Sequence, residues 1–145
     1  MKLKWDILRN YFVEIGIYLC AFLFVYAAVS KLMDFETFET QLGQSPLLSA
    51  YAKPVAIGVP LLELLISFFL MFKRTRRIAL YGFFAMMVMF TTYIVIILNF
   101  TDFVPCSCGG VLEALGWKEH LIFNSLFIGV ALIGIFVEKE AETYK

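Results

Sequence analysis

Four stretches of the chain are apolar for long enough to form transmembrane helices, and the polar residues gather between them. Residues 12–32 have a charge-free centre at 15–30, and residues 54–72 hold a single charge, Glu63. Residues 78–101 hold none, and residues 120–137 are uncharged apart from His120 at their start. Crossing a hydrocarbon core about 30 Å thick takes about 20 mostly apolar residues in helix. The fourth stretch is short by that measure and has to borrow a turn from the Trp117 side. Strands standing alone would leave backbone groups unpaired in lipid, so the pattern predicts an all-α membrane protein, a four-transmembrane-helix bundle. The connections differ in kind. Residues 34–53 are long and amphipathic, 73–77 form a tight basic turn, and 102–120 carry two of the three cysteines. Phe35, Phe38 and Leu42 recur at helical spacing, which predicts a short interfacial helix ending near Gly43, with Ser45-Pro46 beginning the return to the second span. No repeat or low-complexity segment breaks the chain, and residues 1–145 read as one integral membrane domain.

Composition agrees. The chain is 61% hydrophobic and 17% charged, with a mean hydropathy of +0.84, against about 45–50% and about 25% for a soluble domain. A water-soluble domain of this length has too little interior to bury so much apolar surface. The 12 basic and 12 acidic residues cancel, which argues against nucleic acid as a partner. The partner required is the lipid bilayer.

Charge changes the picture by fixing an orientation. Four spans put both termini and the 73–77 turn on one side, together with Lys2, Lys4, Arg9, Lys73, Arg74, Arg76, Arg77, Lys139 and Lys145. Only Lys31, Lys53 and Lys118 fall to the other side. The excess of lysine and arginine predicts that both termini are cytoplasmic. The beginning of the chain also has the look of a secretory signal, but its apolar run exceeds a signal core and its removal would delete a span. The first helix is expected to be retained.

The topology puts Cys106-Ser107-Cys108-Gly109-Gly110 outside the cytoplasm, where disulfides persist. A bridge between cysteines two apart closes a small, constrained ring that is readily reduced, which suits electron exchange better than stapling a fold. Residues 111–115 read as a short helix whose N-terminus would favour thiolate in the preceding cysteines. Lys118 stands near enough in sequence to stabilise a thiolate, and His120 to accept a proton. A structural cross-link is one alternative. A metal site built from Cys106, Cys108 and His120 with Asp102 or Glu113 is another, though the spacing fits no strong zinc pattern. His120, with Asn124 one turn later, also fits a plain hydrogen-bonding role between helices.

Glu63 is the one charge deep inside a span. It lies nine residues after Pro54, about 13 Å along a helix at 1.5 Å per residue, and a carboxylate at that depth demands a partner. Lys31, Ser30, Tyr26 and Tyr93 are the candidates, with Lys31 free in principle to reach inward or to snorkel outward. Cys20, within the first span, reads as an inert apolar residue.

These residues carry a resemblance. Val29-Ser30-Lys31-Leu32-x-Asp34-x-x-x-Phe38, then Pro60-Leu61-Leu62-Glu63-Leu64, a basic turn, and Cys106-x-Cys108-Gly109-Gly110 before the last span resemble the MauE/DoxX-like membrane proteins, and the cysteine loop points to the MauE branch. The resemblance covers essentially the whole chain. It implies a four-helix bundle in the bacterial inner membrane that forms disulfides in, or matures, a periplasmic partner. The architecture also resembles the DsbB and vitamin K epoxide reductase bundles, which pass electrons from periplasmic thiols to quinone. Those enzymes use a Cys-x-x-Cys and a second cysteine pair; this chain offers one Cys-x-Cys, so quinone stands as an open acceptor and no cofactor is assigned. The leading expectation is thiol–disulfide exchange through Cys106 and Cys108 with a thioredoxin-like or cysteine-containing periplasmic protein. The rival is a non-catalytic membrane subunit or scaffold among other subunits of an envelope complex.

Overall fold

A computed structural model describes residues 2–100 and 116–143. Their regular structure is entirely helical: α1 spans Lys2–Met33, α2 Phe35–Gln44, α3 Ala52–Leu70, α4 Arg76–Phe100 and α5 Trp117–Thr143, with one 3-10 turn at Ser49–Tyr51 before α3. Four of these helices are long and apolar enough to cross a membrane, over Ile7–Met33, Ser49–Leu70, Arg76–Phe100 and Lys118–Glu138. Only 22–33% of each span is buried within the protein. The apolar remainder, with Phe22, Phe68, Ile78 and Leu126 among its most exposed side chains, needs hydrocarbon around it.

The spans are those expected, with shifted ends. No glycine or proline precedes Gly16, so α1 runs unbroken from Lys2 through its polar first turns. The helix of the fourth span, α5, does start at Trp117 and continues past the apolar stretch to Thr143. Its first turn is closed by the His120 N–H donating to the Gly116 carbonyl at 3.0 Å. The basic run is split. Thr75 donates its hydroxyl to the Phe69 carbonyl at 2.9 Å, the Arg76 N–H bonds the Phe72 carbonyl at 2.9 Å, and Arg76 and Arg77 already belong to α4.

In the bundle α1 lies beside α3 and α5, and α4 completes the ring against the same two helices. Phe24 of α1 and Phe83 of α4 meet across the diagonal with ring centroids 4.3 Å apart, and Phe127 of α5 lies 6.5 Å from Phe83. Lipid supplies no hydrophobic pressure between helices, so close backbone approach matters. At Gly16 a Cβ would stand 2.8 Å from Val130 Cγ1, and at Gly134 3.3 Å from Leu80 Cδ1; α5 packs against α1 and α4 through these two points. α2 is the short amphipathic helix anticipated, ending at Gln44. Its Phe38 and Leu42 are covered by Ala56 and the first turns of α3. Ser45 then turns the chain with extended backbone, φ −71° and ψ 129°, as the residue before a proline must.

Candidate functional site

Glu63 sits three residues past Pro60, inside α3, and is 1% exposed. Its carboxylate is met by Lys31, from the last turn of α1. The Lys31 Nζ donates to Glu63 Oε1 at 2.8 Å and Oε2 at 3.1 Å, and also to its own helix at the Ala27 carbonyl, 3.3 Å away. Lys31 therefore reaches inward rather than snorkelling out. The ammonium also lies 5.9 Å from the ring centroids of Phe38 and of Phe90, close enough for the ring faces to stabilise the cation. One lysine thus touches α2, α3 and α4 from α1.

His120 is buried in the first turn of α5. Asn124, one turn on, is buried on the same face. Beside this centre the Tyr93 hydroxyl donates to the buried Ser45 hydroxyl at 2.8 Å, tying α4 to the turn after α2. Of the four candidate partners for Glu63, Lys31 meets it directly. Ser30 is half-buried and its carbonyl accepts from the Asp34 N–H at 3.4 Å, and Tyr93 is engaged with Ser45.

Cys106 and Cys108 lie outside the described residues, as do Asp102, Glu113 and the short helix anticipated at 111–115. Among the described residues no three histidine, cysteine, aspartate or glutamate side chains converge as metal ligands would. Cys20 is a free thiol fully enclosed in the core.

A second buried polar centre, at the opposite end of the bundle, was not anticipated. Arg76 is 3% exposed. Its Nε donates to the Leu70 carbonyl at 3.2 Å, and its terminal nitrogen lies 3.7 Å from Glu14 and 3.5 Å from Glu138. The guanidinium thereby joins α1, α3 and α5 to α4. A planar fork with five donors suits that task better than an ammonium. The sequence pattern places Arg76 in the basic turn at 73–77 before a span that starts at 78, and nothing in it distinguishes this arginine from the cations on either side.

Fold and site define a multi-pass membrane bundle whose four spans are clamped near both ends by buried charge. The family model described as methylamine utilisation protein MauE matches residues 9–137, and the chain belongs to that family. No curated protein and no solved structure matches it.

Proposed function

We propose that the protein is an integral-membrane thiol–disulfide exchange protein that acts on a periplasmic partner through Cys106 and Cys108. The observation that carries the reading is covalent. Both thiols lie on the segment joining Phe100 to Gly116, and the helices it joins bring Tyr93, Phe90 and His120 to the end of the bundle where Lys31 and Glu63 meet.

In the exchange, a thiolate of the partner's dithiol attacks one sulfur of the Cys106–Cys108 disulfide. That bond breaks, a mixed disulfide forms, and the other cysteine leaves as a thiolate. The partner's second thiolate then attacks the mixed disulfide. The partner is left oxidised by two electrons, and Cys106 and Cys108 are left as a dithiol. His120 takes up and returns the proton that each thiol must lose before it can attack. A thioredoxin-like disulfide or a quinone, each a two-electron acceptor, returns the pair to its oxidised state. Lys31 and Glu63 tie α1 to α3, and Lys31 lies against Phe90 of α4, one of the two helices that carry the segment. Membership of the MauE family, with its resemblance to proteins that mature periplasmic partners, supports the same reading.

The test is thiol trapping in intact cells of the wild type and of the Cys106→Ser and Cys108→Ser variants. The expected result is a wild-type pair that alternates between dithiol and disulfide, and a covalent mixed disulfide with a partner in one of the single variants. A pair that keeps one redox state, with no mixed disulfide and full activity of the doubly substituted chain, would instead mark a non-catalytic subunit.

A further inference from the structure

A groove of about 510 Å³ runs between α1 and α3 on the outside of the bundle. Phe22 and Phe68 wall it, Ala21 and Ser67 form its floor, and Tyr18 and Met71 close one end. The floor is dry: the Ser67 hydroxyl is engaged by the Ala21 carbonyl at 2.8 Å, and both residues are buried. The lining covers two turns of each helix, about 10 Å at 1.5 Å per residue, which is a slot for a hydrocarbon chain lying along the helices.

Charge marks one end of this slot. Beyond Met71 the chain turns, and the turn carries Lys73 and Arg74, both exposed and neither held in an ion pair among the described residues. At the same end, Glu14 receives the Tyr18 hydroxyl at 3.5 Å and is offset by Arg76 at 3.7 Å. An apolar slot that ends at two uncommitted cations matches a molecule with a hydrocarbon tail and an anionic head. Basic side chains at the end of a transmembrane helix attract anionic headgroups for this reason.

We infer that the groove between α1 and α3 seats one acyl chain of an anionic phospholipid whose phosphate is held by Lys73 and Arg74. A zwitterionic phospholipid has the same tail but gains less from the two cations, so headgroup charge decides the preference.

Native mass spectrometry of the full chain in detergent, titrated with phosphatidylglycerol and with phosphatidylcholine of identical acyl chains, tests this. Phosphatidylglycerol is expected to bind about tenfold more tightly. The Lys73→Gln/Arg74→Gln variant should bring the two affinities together. Val25→Trp, which fills the slot from its lipid-facing rim, should weaken both several-fold. All three positions are exposed, so each variant should keep the circular dichroism of the wild type. Equal affinities in the wild type, a preference that survives the double substitution, or an affinity untouched by Val25→Trp would each overturn the assignment.

Discussion

At the scale of single residues, the pair formed by Lys31 and Glu63 is a buried, doubly bonded link between α1 and α3. Glu63 accepts at both oxygens, and Lys31 satisfies its remaining donor at the Ala27 carbonyl. A pair so completely bonded holds its geometry, but removing one partner leaves a buried charge with nothing to offset it. Lys31→Met or Glu63→Leu alone should therefore cost about 3–5 kcal/mol, while the double variant should lose much less, because no unpaired charge is left behind. Thermal unfolding of the purified protein in detergent measures all four corners of that cycle; additive losses would show that the two side chains act independently. Half of this site was readable in advance. A lone carboxylate in an apolar window requires a cation, and Lys31 closes the adjacent span at a matching depth. Which donor wins is a matter of helix rotation, which periodicity among almost uniformly apolar residues does not encode. The same limit hid Arg76, one of four cations in a run of five residues. Any of them satisfies the requirement for positive charge at a span end, and only tertiary packing turns one inward.

At the scale of the helix, association depends on close approach more than on apolar area, since lipid tails are as apolar as the helix faces. Gly16 is the tightest such point, with Val130 Cγ1 where its Cβ would project. Gly16→Ala should push α5 away from α1 and destabilise the bundle by about 1–3 kcal/mol, the usual cost of overpacking. Val130→Ala in the same chain should recover most of that loss, and an unfolding comparison of the single and double variants decides it. Span positions were legible because length and apolarity alone define them. Helix ends were less so, since α1 and α5 extend into polar sequence that contains no breaker. The amphipathic character of α2 was equally legible from Phe35, Phe38 and Leu42. Its covering was not, because a 3.6-residue period reveals an apolar stripe without saying that Ala56 and its neighbours lie against it.

At the scale of the whole molecule, the two buried charge centres set Lys31 and Arg76, held inside the bundle, apart from exposed cations such as Lys73 and Arg74. Arg76 meets Glu14 and Glu138, which shows that the first turns of α1, the start of α4 and the last turns of α5 share one end. Lys73 and Arg74 stand exposed at that end and are available to the membrane surface. The two roles separate by experiment. Arg76→Gln should lower the unfolding temperature by breaking the link among four helices while leaving the orientation intact, because the surrounding lysines and arginines still outnumber the three at the other end. Lys73→Gln/Arg74→Gln should change neither the unfolding temperature nor the orientation, since seven cations against three are still enough to orient the chain and the bundle core is untouched. Orientation is measured with a phosphatase that is active only outside the cytoplasm, fused at the C-terminus or inserted after Gly110. Activity is expected only at the second position, in the wild type and in both variants. Activity at the C-terminus would put Cys106 and Cys108 in the reducing cytosol, where a readily reduced bridge does not persist, and the proposed exchange with a periplasmic partner would fail on topology alone.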